Sequence, residues 1–259
     1  MNLICTVYGI VVRDLVRAFR QKGRLIGGLA RSFMWLLLVG TGYNAIAHVE
    51  GVTSYRAFVY PGLIVMAMFF GAMLTAISTV YDREFGMLRL MLSGPAGIPA
   101  ILAGRAIAAT ATGMLQGGVI LLFVPFVASV TPTQVAGAMA ALALGAAASS
   151  ALGLLVAAPL QSVENFAGVI NLVLFPMFFL SGALYPTGSM PAALRHIARL
   201  NPVTYAVDLM RWALGQPAEF DARRSTLVLV ITAALAFSLT AAIFDPERRV
   251  VFRHRPVKP

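Results

Sequence analysis

Charge is scarce in this sequence. Only 12% of its 259 residues are Asp, Glu, Lys or Arg, half of the roughly 25% usual in a soluble domain. Acidic residues number 10 in all, while 59% of the chain is hydrophobic and its mean hydropathy is +0.83. That balance excludes a soluble globular domain, a disordered chain and a collagen-like repeat. Cysteine is rarer still: Cys5 stands alone, so there is no disulfide scaffold within the chain. The chemistry of sites is missing as well. There is no G-x-x-x-x-G-K-[ST] loop to cradle phosphates and no H-E-x-x-H helix. The three histidines, His48, His196 and His254, lie far apart in sequence. No catalytic residue, metal ligand or cofactor site is expected, and the chain does not read as an enzyme.

What is abundant is long apolar sequence. A membrane-crossing helix needs about 20 predominantly apolar residues, and six windows meet this, at 26–47, 57–81, 106–130, 134–158, 166–185 and 225–244. These continuous runs lack the alternation of a β-barrel. The expected fold is therefore all-α and integral to the membrane: an N-terminal helix over 1–24, a six-span domain over 25–244 and a basic tail over 245–259. The net charge is +10. Its basic residues flank apolar runs, so the expected partners are anionic lipids and not nucleic acid. Arg13, Arg17, Arg20, Lys22, Arg24, Arg31, Arg83, Arg89, Arg105 and the tail arginines fall on one side of a six-span topology. The positive-inside rule then puts both termini in the cytoplasm of a multi-pass inner-membrane protein. Residues 1–8 lack a basic n-region, so no cleavable signal is expected.

Arg13, Arg17, Arg20 and Arg24 share one helical face, opposite Tyr8, Val11, Val12, Leu15 and Phe19. Such a helix lies in the membrane interface with arginines at the headgroups, either as an anchor alone or also against a cytoplasmic partner. In the fourth window Gly137, Ala141, Gly145, Ser149, Gly153 and Ala157 recur every four residues. That ridge permits close helix packing in lipid, with a dimer seam as the weaker reading. The centres of the second to sixth windows carry no charge. An ion-coupled carrier needs ionisable groups on its path, so energy for transport would come from another subunit.

Two connections carry the remaining signal. Asp82-Arg83-Glu84-Phe85-Gly86-Met87-Leu88-Arg89-Leu90-Met91-Leu92 opens with mixed charge and continues as a short amphipathic stretch ended by Gly94-Pro95. It reads either as a juxtamembrane turn or as a protruding helix that docks on a cytoplasmic protein. On the other side, 185–224 holds two short amphipathic segments, Met190–Leu200 and Val203–Leu214, with Asp208 and Arg211 at i,i+3. Each is too short to span, which suggests a re-entrant pair or two interfacial helices.

Three segments resemble the membrane subunits of type-2 ATP-binding-cassette exporters, a group that includes nodulation-factor, drug-resistance and polysaccharide export permeases. They are Arg83-Glu84-Phe85-Gly86-Met87-Leu88 with Gly94-Pro95 and Arg105, the run Phe175 to Pro186, and Leu200-Asn201-Pro202-Val203-Thr204-Tyr205-Ala206-Val207-Asp208 through Arg211. The resemblance implies a six-span subunit that pairs with a second permease subunit and with ATPase subunits that bind the ATP. It makes 82–92 a coupling helix, with Asp82, Arg83, Glu84, Phe85, Gly86 and Leu88 at the ATPase. It makes 185–214 the exit-side re-entrant pair, with Pro186, Asn201, Pro202, Tyr205, Asp208 and Arg211 as gate residues. Relatives often have an acidic residue after Leu88, where this chain has Arg89. The expected function is the permease of an ATP-driven exporter for an amphipathic drug, a lipid-like molecule or a glycan. The alternative is a membrane scaffold that binds a cytoplasmic partner without transport.

Overall fold

The computed structural model describes residues 3–42, 55–92, 97–127 and 129–244, and the described residues form helices and turns with no strand. In chain order the helices are α1 (Leu3–Arg20), α2 (Lys22–Gly42), α3 (Tyr55–Thr75), α4 (Ile77–Glu84), α5 (Met87–Leu92), α6 (Ile98–Leu121), α7 (Pro132–Ala157), α8 (Val163–Phe179), α9 (Ala192–Leu200), α10 (Pro202–Ala213) and α11 (Ala222–Ile243). Four segments among the described residues are long and apolar enough to cross a membrane: Tyr55–Glu84, Ile98–Phe126, Pro132–Ala157 and Ala222–Ile243. The first and fifth windows of the sequence correspond to α2, whose window runs on to residue 47 outside the described residues, and to α8, which has only 17 residues.

The packing centre is α3, nearly every side chain of which is buried. It is surrounded by α2, α6, α7 and α10, while α11 lies outside on α7 and α10. In lipid, apolar burial does not by itself drive helices together, so close approach depends on small residues. Gly113 and Gly117 of α6 set the backbone against Met68 and Ala72 of α3. The expected ridge of α7 packs within the chain. Ala141 and Ser149 are buried, Gly137 faces Ala213 of α10, and Gly145 lies between Met68 and Ala206. A Cβ added at Gly153 would stand 2.9 Å from the Met73 backbone. α3 and α4 form one continuous path with a turn at Ala76, where Thr75 Oγ1 donates to the Gly71 carbonyl at 2.7 Å. This back-bonding bends helices.

Several boundaries differ from the sequence expectation. α6 begins at Ile98, so Arg105 lies inside the helix and is buried, not at its mouth. α7 starts at Pro132, two residues before its window, with Thr131 and Gln134 forming a reciprocal capping box. α8 ends at Phe179, and the expected helix to residue 185 is replaced by a buried irregular segment. Gly182 there has φ +77°, a conformation open to glycine. Ala183 fills the gap that Gly62 of α3 leaves open. Irregular backbone deep in such a bundle must have its polar groups satisfied. Tyr55 Oη donates to the Leu184 carbonyl at 2.7 Å and Arg211 Nη2 to the Gly182 carbonyl at 2.7 Å. Residues 245–259, the expected basic tail, lie outside the described residues.

Candidate functional site

Two clusters of charged groups sit at the two ends of the α3–α4 path. At the Glu84 end, the Asp82 carboxylate is almost wholly buried and accepts from three guanidiniums: Arg13 Nη2 at 2.7 Å, Arg17 Nη1 at 2.9 Å and Arg105 Nη2 at 2.6 Å. Arg13 also holds Asp14 at 2.8 Å, and Arg105 Nη1 donates to Thr79 Oγ1 at 3.0 Å. The knot therefore ties α1 and α6 to α4. Burial alone would lower the Arg13 pKa, but Asp14 and Asp82 outweigh it and raise the pKa above the ordinary guanidinium value.

This arrangement corrects the expected interface helix. α1 spans Leu3–Arg20 and the chain breaks at Gln21. Its buried face is Ile10, Asp14 and Ala18, and Ile10 lies against Gly104 of α6. Arg13 and Arg17 turn inward to Asp82, while Arg20 is exposed. Tyr8, Val12 and Phe19 face outward as expected. The side chain of Arg24 lies outside the described residues.

The expected coupling helix over 82–92 is two pieces. Asp82, Arg83 and Glu84 form the last turn of α4, and Gly86, at φ +76°, turns the chain into α5. The charged residues here are fasteners. Arg83 Nη1 donates to the carbonyls of Ala158 at 2.6 Å and Leu160 at 2.7 Å, beyond the end of α7, and its guanidinium lies over Phe244. Glu84 Oε2 accepts from the Val163 N–H at 2.8 Å, at the start of α8, where a carboxylate complements the helix dipole. Leu88 is buried with Leu102, Ala158 and Phe244. Asp82 and Leu88 are thus anchors and not contact surface. Phe85, as expected, stands out at 70% exposure, and beside it Tyr81, Met87 and Leu90 are exposed. The Tyr81 and Phe85 rings stack with centroids 5.7 Å apart. Sequence reasoning missed Tyr81, Met87 and Leu90. The alternation of Leu88 and Leu90, two apolar residues on different sides of a short helix, was the available signal.

At the Tyr55 end, Asn201 joins three helices. Its Oδ1 accepts from Val203 N–H at 3.1 Å to cap α10, and its Nδ2 donates at 2.6 Å to the Met177 carbonyl in the last turn of α8. Pro202 occupies the first turn of α10, where its missing N–H is harmless. Thr204 Oγ1 and Tyr205 Oη donate to the carbonyls of Ala198 and Arg199, closing the end of α9. Pro186 is exposed, and its carbonyl accepts from Ser189.

Asp208 and Arg211, though at i,i+3, do not form a salt bridge with each other. Asp208 accepts from the N–H groups of Glu219 at 2.5 Å and Phe220 at 3.0 Å and from Ser225 Oγ at 3.3 Å. Arg211 points to Gly182 and lies over the Phe58 ring at 4.2 Å. At i,i+3 the two share a helix face, but backbone partners on opposite sides draw them apart. Burial, with the Asp208 charge adding to it, raises the pKa of Glu219 above the ordinary carboxyl value. The two short helices are unequal: α10 is almost wholly buried, whereas α9 leaves Leu194, Ile197 and Leu200 exposed. Among the described residues no group of three or more His, Cys, Asp and Glu could hold a metal.

The sequence pattern of the ABC-2 type transporter family matches residues 7–214, which takes in the Asp82 cluster and, at the other end, Asn201, Asp208 and Arg211 but not the partners of Asp208 at Glu219, Phe220 and Ser225. The chain belongs to this family. It is a transport permease of the integral membrane. It is similar to the putative transport permease ycf38 of Pyropia yezoensis, 29% identical over 219 residues, covering 82% of this chain and 74% of that protein. Nodulation protein J of Bradyrhizobium diazoefficiens is 28% identical over 227 residues, 85% of each chain. Nodulation protein J of Rhizobium leguminosarum bv. viciae is 29% identical over 197 residues, 74% of this permease and 76% of the relative.

Proposed function

We propose that this permease is the six-span membrane subunit of an ATP-driven exporter. α2 and α8 would complete the six crossings, and both termini would lie in the cytoplasm of an inner-membrane protein. It would work with a second permease subunit, the same or different, and with separate nucleotide-binding subunits that bind and hydrolyse the ATP. The cargo would be an amphipathic drug, a lipid-like molecule or a glycan.

One observation carries the reading: the exposed apolar tip of Tyr81, Phe85, Met87 and Leu90 stands on a base that the Asp82 knot and the Arg83 staple tie to α1, α6 and α7. A docked protein that moved this tip would move several helices at once. Such a device transmits a remote two-state change into the bundle. α10, locked to α8, α9 and the segment before α11, would serve as the fixed joint at the exit side.

Gentle purification from native membranes tests this. A Walker-motif ATPase should accompany the wild-type permease. Phe85→Ala together with Leu90→Ala should cut its recovery by at least about tenfold, the loss expected when anchor residues of an interface are truncated. Absence of any ATPase from the wild-type preparation would overturn the exporter reading in favour of a membrane scaffold.

A further inference from the structure

Arg31 is charged, yet it lies beside the middle of the bundle. It is on α2, and its guanidinium lies 4.4 Å above the ring of Phe70, which is midway along the continuous apolar path from Tyr55 to Glu84. Counted in sequence as a cytoplasmic flank, it sits instead at half the depth of a membrane-crossing segment. Its Nη1 is buried and donates to nothing, and no carboxylate among the described residues pairs with it. The nearby amide does not answer the charge either. Gln116 of α6 is pressed against Gly28 and Gly71, and its buried Oε1 accepts no hydrogen bond.

A cation at such depth is costly unless it faces a partner or a wet cavity. Among the described residues the two arginines that are buried outright each have an oxygen partner, Asp82 for Arg105 and the Gly182 carbonyl for Arg211, whereas Nη1 of the half-buried Arg31 has none. Beside Arg31 stands a run of rings. Phe70 meets Phe175 at 5.7 Å, Phe175 stacks on Phe179 at 6.4 Å, and Phe179 meets Trp35 at 5.9 Å. Phe175 and Phe179 are more than a third exposed, so the run is open on one side. A planar donor with a free N–H at one end of an apolar aromatic surface complements an amphiphile with an acidic head. Arg suits a phosphate or carboxylate because its planar fork can donate two bonds at once.

We propose that Arg31, with Phe70, Phe175, Phe179 and Trp35, forms a binding site for the acidic headgroup and adjoining apolar part of the cargo, which is therefore an anionic amphiphile. The assignment of the occupant as cargo rests on the exporter reading above; the binding site itself does not.

The test is a titration of the full chain in phosphatidylcholine nanodiscs, without ATPase or ATP, read by fluorescence of Trp35. A Trp212→Phe background serves as wild type throughout, since the chain has 2 tryptophans. Dodecyl phosphate should saturate the signal at a concentration at least about tenfold lower than uncharged dodecyl maltoside, as a charge-assisted hydrogen bond implies. Arg31→Gln should abolish that preference while keeping the wild-type melting temperature, and Arg31→Lys should retain part of it. Equal binding of the two probes by the wild type, or an unchanged preference in Arg31→Gln, overturns the site. Should Arg31→Gln fail to fold, the wild-type comparison decides alone. Adding phosphatidylglycerol to the bilayer separates the two sources of an acidic head. Competition by it overturns the assignment to cargo and gives the site to a resident lipid; no competition supports the cargo. A permease that binds dodecyl phosphate through Arg31 but recruits no ATPase keeps the site and loses the exporter reading. One that recruits its ATPase but does not discriminate between the probes does the reverse.

Discussion

Asp82 and Asp208 are both buried aspartates, and they are held in opposite ways. Asp82 is surrounded by three arginines that come from 69, 65 and 23 residues away. Asp208 is surrounded by backbone N–H groups and a hydroxyl from 11, 12 and 17 residues away. The first arrangement connects distant helices through long side chains that can reorient, and three guanidiniums share two carboxylates. The second fixes a neighbouring turn through short bonds that permit one geometry. A knot of the first kind suits a region that must pass on motion, and a cap of the second kind suits a fulcrum. At Asp82 charge is placed in the interior for connection more than for net stability, since a buried ion pair recovers little beyond its own desolvation.

The sharpest way to break the comparison is to remove the Asp82 carboxylate. Asp82→Ala leaves Arg105 buried against Arg13 with no counter-charge but Asp14, and removing one partner of a buried pair costs about 3–5 kcal/mol. The expected outcome is a large fall in the detergent melting temperature and poor recovery of folded permease. Replacing the fully buried pair, Asp82→Leu with Arg105→Met, should recover much of the lost stability, because Arg13 keeps Asp14 and Arg17 is 33% exposed, so no deeply buried charge is then stranded. Failure of the double variant to recover would mean that the knot is needed to assemble α1, α4 and α6 at all.

Asp208→Asn is the milder counterpart. The amide keeps one acceptor oxygen and gives up the charge-assisted bonds, so the loss should be about 1–3 kcal/mol. It should appear as faster proteolysis between α10 and α11, the turn that Asp208 holds. If Asp208→Asn is as damaging as Asp82→Ala, the two aspartates do not differ as argued. Gly153→Leu should be similar in size of effect to Asp208→Asn. Its side chain would meet the Met73 backbone, where a Cβ alone comes within 2.9 Å, and overpacking of this kind costs about 1–3 kcal/mol. Gly137→Ala, with its nearest neighbour at 3.6 Å, should be tolerated.

Much of the helix order could be read from residues alone, because an apolar run long enough to span leaves little else for the backbone to do. α3, α7 and α11 lie on their windows for that reason, each starting two or three residues earlier than its window. The misplaced ends share a cause. Arg105 looks like a helix mouth until its partner Asp82 is known, and that partner is 23 residues away. Arg31 looks like a flank for the same reason, although its ring partner is in another helix. Phe179 ends α8 after Pro176, where the apolar run continues but in a turn stapled by Tyr55 and Arg211. Site roles were less legible than elements. Charge, spacing and turn residues located both connections, but which of their residues face outward depends on tertiary packing: Leu88 and Leu90 have the same side chain, yet one is buried and the other 67% exposed.

That pair gives the most discriminating comparison. Leu88→Glu places a carboxylate among Leu102, Ala158 and Phe244, and burial of an unpaired charge is strongly unfavourable. The melting temperature should fall by several degrees whether or not an ATPase is present. Leu90→Glu alters a residue on the outer side of α5, where a substitution usually changes stability by no more than about 0.5 kcal/mol. Its melt should match wild type while the recovery of the ATPase falls. The two variants differ by two positions in one six-residue helix and introduce the same group, so composition, expression and net charge cancel between them. If both variants lose the ATPase without loss of stability, the buried face of α5 must open on docking, and the tip is then a mobile element and not a rigid one. If neither does, the docking surface lies elsewhere and α5 serves only to close the Asp82 end of the bundle.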